Sequence, residues 1–231
     1  MNLIHTTSAE VLSINVGLPI PIIHRNREVV SGIYKEPIEH SAYLSFLNFE
    51  GDRQADLEHH GGQDKAVCVY PSEHYMHWQH LLQRSLTSGA FGENMTTLGL
   101  LESQLYIGDI FRVGDAVVQI SQPRQPCYKL SIKYQLNELP LLVQTTGYTG
   151  YYFRVLEEGW VTRGTRLVLL DRLQDKVTVA YANTIMHKDK DNMESIDCIL
   201  ELPWLSASWR KTLTARREGL VTDSIVRLEG E

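Results

Sequence analysis

The stretch Ser121-Gln122-Pro123-Arg124-Gln125-Pro126-Cys127-Tyr128-Lys129 sets a guanidinium and a thiol three residues apart on a segment with two prolines. Each proline fixes its own φ and removes a backbone donor, and the residue before it is pushed to extended geometry. The loop is therefore stiff enough to hold Arg124 and Cys127 in a fixed relation. A cation beside a cysteine favours the thiolate, which is the form that reacts or ligates a metal. A solitary cysteine after a strand is more often a small buried hydrophobe than a reactive thiol. On residue type alone both readings stand.

Two further loops carry chemically capable residues. The run from Asp52 to Lys65 places His59, His60, Gly61, Gly62 and Lys65 within seven positions. Glycines let backbone amides approach a ligand, successive amides form an anion-binding concavity, and a lysine adds a point charge for phosphate. The alternative is a polar surface turn. In Phe91-Gly92-Glu93-Asn94, the amide of Asn94 can both donate to and accept from a heterocycle edge. The same residues also suit a turn that needs Gly92 and Asn94 for local geometry. His74, His77 and His80 fall at i, i+3 and i+6 of one expected helix. His80 then lies about 240° around the axis from His74, so the three cannot converge on one ion. There is no HExxH, GxGxxG, GxxxxGK[ST] or GxSxG motif. Lys188-Asp189-Lys190-Asp191 reads as a solvated connector.

The elements that must position these loops are mostly short strands. Val11–Val16, Glu28–Tyr34, Tyr43–Phe49 and Ala66–Tyr70 have strand-like apolar content, and Asp109–Val113 with Ala116–Ser121 flank a Gly114-Asp115 hairpin turn. The second hairpin strand delivers the chain to the Pro-Arg-Cys loop. A helix is expected from Ser72-Glu73 to about Leu86, with Phe91–Met95 as a turn. Tyr128–Tyr134 and Asn137–Thr146 read as helices, with Pro140 in the first turn of the second. Tyr151–Leu156 and Thr165–Leu170 read as strands, Val177–Tyr181 as one more, and Met193–Leu202 and Ser206–Arg217 as amphipathic helices split by Pro203. Many strands followed by helices favour a mainly β (α+β) fold with a barrel-like core. The expected division is a β-barrel domain over 1–175 and a small helical domain over 176–231.

With 231 residues, 43% hydrophobic content and a net charge of −6, the chain can bury a sizeable core and offers no basic surface for nucleic acid. No apolar run approaches the ~20 residues of a membrane helix, and Met1 to Glu10 lacks a signal-peptide pattern. Three widely spaced cysteines, Cys68, Cys127 and Cys198, do not make a disulfide framework, a zinc ribbon or an iron–sulfur site. A reducing cytoplasm is the expected compartment. Cys68, within a near-continuous apolar run, reads as a packing residue.

Taken in order, His60-Gly61-Gly62-Gln63-Asp64-Lys65-Ala66-Val67, Phe91-Gly92-Glu93-Asn94-Met95, Ile107-Gly108-Asp109 and Gln122-Pro123-Arg124-Gln125-Pro126-Cys127 resemble the MOSC family, named for the C-terminal domain of molybdenum cofactor sulfurase. The resemblance spans residues 10 to 170. It is nearest the bacterial stand-alone type linked to resistance against N-hydroxylated purines, whose three-helix domain the segment 177–220 is similar to. It implies a MOSC-type β-barrel with inserted helices and a small C-terminal helical domain, and a molybdenum–molybdopterin cofactor. Cys127 matches the position that gives the metal its protein thiolate, and is thereby the expected catalytic residue. Such a site needs only one soft protein ligand, which suits a solitary cysteine. Lys65, Arg124, Gly61 and Gly62 would hold the pterin phosphate, and His60 and Asn94 would contact pterin or substrate. Pyridoxal phosphate, also associated with the wider family, is not expected, because no motif marks a Schiff-base lysine.

The implied activity is reduction of N-hydroxylated compounds (hydroxylaminopurines, amidoximes, hydroxamates) to amines or amidines. A separate flavin or iron–sulfur reductase would supply electrons. Neither nucleic acid nor a membrane is an expected partner, and a homodimer stays open. The alternative from another class is a carrier that holds molybdopterin or a Cys127 persulfide for a partner. A weaker one is a zinc hydrolase using His59, His60 and the histidines at 74–80.

Overall fold

The computed structural model describes residues 9–56, 61–220 and 223–230. In chain order the strands are β1 (Ala9–Val16), β2 (Ile20–His24), β3 (Arg27–Ser31), β4 (Glu36–Ile38), β5 (Ala42–Leu44), β6 (Val67–Pro71), β7 (Met95–Leu98), β8 (Ile110–Val113), β9 (Ala116–Pro123), β10 (Tyr151–Glu157), β11 (Gly159–Val161) and β12 (Arg166–Asp171). The helices are α1 (Tyr75–Leu82), α2 (Lys129–Tyr134), α3 (Leu139–Thr146), α4 (Val179–His187), α5 (Met193–Leu200), α6 (Ala207–Arg217) and α7 (Ile225–Glu229).

Seven strands close a barrel in the order β12-β8-β9-β10-β6-β7-β1, and β1 returns to β12 through Ala9↔Leu167 and Glu10↔Arg166. Closure leaves the barrel without a free edge. Every pairing in the ring is antiparallel except β6 with β7, which run parallel with Val69 opposite Met95. A parallel pair needs a long crossover, and the chain supplies it between residues 71 and 95, where α1 lies. Beyond the ring, β4 pairs on β1 and β2–β3 forms a separate hairpin.

Val11, Ile14, Val69, Met95, Phe111, Val118, Ile120, Tyr151, Phe153 and Leu167 fill the interior. β6 and β9 are buried along their whole lengths. Near-continuous apolar runs, rather than alternation, are what a strand covered on both faces requires. A second cluster packs Tyr70, Tyr75, Trp78, Phe91, Leu130, Tyr134, Leu139 and Val143 from α1, α2, α3 and the 89–92 turn outside β6. Tyr70 and Phe91 stack at 4.4 Å, and the Trp78 indole donates to the Tyr70 hydroxyl at 2.6 Å.

The hairpin at Gly114-Asp115 stands where the sequence places it. Gly114 has φ 60, and a Cβ there would lie 2.3 Å from the Trp160 carbonyl oxygen, so the turn requires glycine. Other expectations need correction. Val177–Tyr181 is not a strand. Thr178 makes one isolated bridge to Tyr106 and then caps α4, its side chain accepting from Tyr181 N at 2.9 Å. Val179, Ala182, Ile185 and Met186 bury at helical spacing, and that burial against the barrel decides the outcome. The first helix stops at Leu82, where Gln83 takes φ 52, short of Leu86. The 91–95 turn ends in a barrel strand, because Met95 enters β7. Tyr43–Phe49 contracts to β5 plus a Leu44↔Phe49 bridge.

The three helices α4, α5 and α6 are capped by Thr178, Asn192 and Ser206. Ile196, Ile199, Leu205, Trp209 and Leu213 continue the barrel's own core. Among the described residues, no helix is long and apolar enough to cross a membrane. His187, at the end of α4, is desolvated and lies near Arg227, Arg216 and Lys190, and its pKa is lowered to about 3. The unfolded chain therefore binds a proton here that the native state refuses between about pH 3 and pH 6.5, so stability rises with pH across that window. Denaturant unfolding from pH 7 down to pH 5 should show a loss approaching ~1.4 kcal/mol per pH unit from this group, and His187→Gln should flatten the slope. An unchanged slope would contradict the assignment.

Candidate active-site cleft

β10 organises the site. Tyr152 pairs with Cys68 of β6 on one side and with Gln122 of β9 on the other. One strand therefore sets Cys68 beside the exit of β9, where the Pro-Arg-Cys loop begins. A cleft opens there. Cys127, Arg124, Lys65 and Asn94 all line it, together with Lys35, Arg53, Lys129, Cys68 and Tyr152. These residues come from six separate stretches of sequence.

Arg124 is 6% exposed. Its amide donates to Gly150 O at 3.0 Å and its Nη2 to Phe91 O at 2.6 Å, while Nη1 is buried without a hydrogen-bond partner. Gly150 is fixed in turn, since its N–H donates to Glu102 Oε1 at 2.8 Å and Glu102 Oε2 accepts from His74 Nε2 at 2.7 Å. Burial works against the charge of Arg124, but Cys68, Tyr152, Cys127 and Glu93 raise its pKa above its ordinary value. Burial pushes Cys68 and Tyr152 up as well, so both are neutral near pH 7. A buried cation with an unpartnered donor in the wall of a cleft is suited to an anionic ligand.

Cys127 is 7% exposed and Cys68 6%, and both thiols are free. Lys65 is also buried, and burial lowers its pKa against the opposing pull of Asp64 and Asp56. Lys65 N closes on Gly62 O at 3.0 Å, and Gly62 has φ 90, a conformation that favours glycine.

Asn94 forms part of the cleft wall, but its amide is used within the protein. Its Oδ1 accepts from Cys68 N at 3.1 Å, and its Nδ2 donates to Asp52 Oδ2 at 2.8 Å and to Asn15 O at 3.4 Å. Asp52, fully buried, also accepts from Gly17 N at 3.0 Å and is ion-paired to buried Lys35. Glu93 builds the adjoining turn by accepting from Gly89 N, Phe91 N, Thr96 Oγ1 and the Tyr75 hydroxyl. Lys133, lowered to about 8 by burial against the pull of Glu93, donates to Gly89 O at 3.0 Å and Ile33 O at 3.3 Å.

Of the expected site residues, Cys127, Arg124, Lys65 and Asn94 therefore share one cleft. Gly61 and Gly62 lie on the turn that leads to Lys65 and do not line it. His60, and His59 beside it, lie outside the described residues. His74 is buried against Glu102, and His77 meets Trp78 and Tyr148 edge-on. Among the described residues, no cluster of three or more His, Cys, Asp or Glu could hold a metal ion. Asp109, of the Ile107-Gly108-Asp109 motif, is buried against Arg172 away from the cleft. Cys68, Lys35, Asp52, Lys129 and Tyr152 were not singled out from the sequence. The pairing of β6, β10 and β9 brings Cys68 and Tyr152 to the cleft, while Lys35 and Asp52 come from connecting loops and Lys129 from the start of α2.

A closed seven-strand barrel, a cysteine and a buried arginine in a cationic cleft, and a helical appendage packed on the barrel together define the class. The sequence matches the MOSC domain over residues 56–168 and the YiiM-like, 3-alpha helix domain over 177–220. YflK of Bacillus subtilis (strain 168) is 49% identical over 211 residues, covering 91% of this chain and 96% of that protein. The crystal structure of YiiM from Geobacillus stearothermophilus superimposes with a TM-score of 0.78 at 42% identity, covering 90% of this chain and 99% of that one. A protein named Reductase from Gibberella moniliformis is 30% identical over 180 residues, 76% of this chain but 32% of that protein's length. The chain belongs to the MOSC-domain family, in the form that carries the YiiM-like three-helix domain.

Asp52 gives the site its clearest stability test. Asp52→Ala leaves the Lys35 ammonium buried without its carboxylate, which should lower unfolding free energy by about 3–5 kcal/mol. The Asp52→Leu/Lys35→Met pair should lose less than Asp52→Ala alone in denaturant titration. A double variant as unstable as the sum of the two singles would rule out the pair as the reason.

Proposed function

We propose that the cleft holds a molybdenum–molybdopterin cofactor and that the protein reduces N-hydroxylated compounds to the parent amine or amidine. The observation that carries the reading is the conjunction of a buried Arg124 with an unpartnered Nη1 and a cysteine in the same cleft. The first is a donor waiting for an anion and the second is a soft metal ligand. Bound there, the cofactor would supply two-electron chemistry at the metal.

The chain's own part is to bind, orient and shield. Cys127 would give its thiolate to the metal. Arg124, through Nη1, and Lys65 and Lys129 would take the anionic groups of the pterin. Lys129 suits this because its ammonium makes no hydrogen bond among the described residues and it lines the cleft. Asn94, held by Cys68, Asp52 and Asn15, would keep the wall fixed rather than read the ligand.

Reduction of R–NHOH to R–NH2 and water takes up two electrons and two protons. The described residues include no cluster of cysteines for an iron–sulfur centre and no flavin motif, so a separate reductase would deliver the electrons. The fungal relative named Reductase is about three times as long as its matched region.

Protein made in molybdate-replete cells should contain molybdenum and pterin and should reduce an amidoxime when coupled to a flavin reductase. Cys127→Ser should keep the fold and lose turnover by more than ~100-fold. Metal and pterin bound without turnover in the wild-type protein would favour a carrier instead, and full turnover in metal-loaded Cys127→Ser would sink the ligand assignment.

A further inference from the structure

The segment 223–230 lies beyond the matched three-helix unit, and it ends on the Pro-Arg-Cys loop. α7 is only five residues long, and its Arg227 grips both sides of Cys127. The Arg227 carbonyl accepts from Tyr128 N–H at 2.8 Å. The Arg227 guanidinium donates through Nη1 to Pro126 O and through Nη2 to Gln144 Oε1, at 2.7 Å, on α3. Pro126 C=O belongs to the peptide plane entering Cys127, and Tyr128 N–H to the plane leaving it. Fixing both planes fixes φ and ψ of Cys127, and with them the direction of its Cα–Cβ bond.

The end of the segment is anchored on the same loop. His24 Nε2 donates to Glu229 O at 3.2 Å, and the His24 and Tyr128 rings lie 5.2 Å apart. Gly230, at φ 77, packs so closely that a Cβ would meet the Tyr128 ring at 2.7 Å. The prolines at 123 and 126 stiffen the loop but cannot set the rotation about Cys127 itself.

We propose that Arg227 is a positioning residue that aims the Cys127 thiol into the cleft from outside it. The consequence for turnover rests on the reading of Cys127 as the cofactor's ligand; the positional claim does not. A donor misplaced by about 1 Å can cost ~100-fold in rate, and the loop offers no other group that holds both planes among the described residues.

The test is site-resolved alkylation by iodoacetamide of the cofactor-free full chain at one pH, with Cys68 and Cys198 as internal controls. Arg227→Ala, which loses the Pro126 and Gln144 bonds but keeps the backbone carbonyl that accepts from Tyr128 N–H, should raise the Cys127 rate about tenfold, with the thermal midpoint near wild type. Arg227→Lys, which keeps one donor, should fall between. Gly230→Val, which pushes the segment off Tyr128 while leaving Arg227 intact, should reproduce the Cys127-selective rise. An unchanged Cys127 rate in both Arg227→Ala and Gly230→Val overturns the proposal. So does an equal rise at all three cysteines with a fallen midpoint, which is general loosening. A Cys127-selective rise with molybdenum content and turnover unaltered upholds the clamp and removes the ligand reading of Cys127.

Discussion

One interaction left unmade organises the molecule: a buried guanidinium with a donor to spare. A charge taken out of water is costly unless it is paired, and Arg124 finds only backbone carbonyl and a distributed electrostatic field within the fold. Much of the surrounding structure serves to keep it in place. β9 and β10 carry its backbone, the Phe91 carbonyl takes one branch of its fork, and the His74–Glu102 pair fixes Gly150 behind it. The aromatic cluster around Tyr70 and Phe91 holds the 89–92 turn that supplies the carbonyl. A fold that spends this much packing on an incompletely satisfied cation is shaped for what enters the cleft, not for its own stability.

The polar residues nearby divide the work. Glu93 accepts three hydrogen bonds from its own turn and the next strand, so it shapes the backbone of the turn that supplies the Phe91 carbonyl. Asn94 and Asp52 join β1, β6 and the 52–56 loop into a single wall. Asp64, beside Lys65, accepts from Arg154 of β10 and caps α6 through Ala207 N at 2.8 Å. The helical region is thus tied directly to the loop that carries Lys65, and Ser206 N donates to Ser121 O at the start of the Pro-Arg-Cys segment. Barrel and helices support the same loops from opposite sides.

The loops and their order were legible in the sequence, because prolines, glycines and chemically capable side chains are local signals. The Gly114-Asp115 hairpin and the helices from 128 to 146 were legible for the same reason. The rest was not local. Met95 reads as the end of a turn until Val69 pairs with it in parallel. Val177–Tyr181 reads as a strand until Thr178 caps a helix whose apolar face the barrel covers. Cys68 is indistinguishable from its apolar neighbours in sequence, and becomes a cleft residue only because Tyr152 sets it across from Gln122. Lys35 and Asp52 belong to no motif, and nothing short of the folded chain shows that they meet. From the sequence alone Asn94 is a candidate ligand contact, and only the fold shows its amide bonding to Cys68, Asp52 and Asn15.

The central claim is that Arg124 makes the cleft an anion site, and linkage tests it most directly. A ligand that binds only the native state raises unfolding free energy by RT ln(1 + [L]/Kd). The measurement is the unfolding midpoint of cofactor-free protein against inorganic phosphate at constant ionic strength, for wild type and Arg124→Met. The midpoint should climb with the logarithm of phosphate in the wild type and stay flat in the variant. Curves that climb in parallel, or a wild type that does not respond, would contradict it.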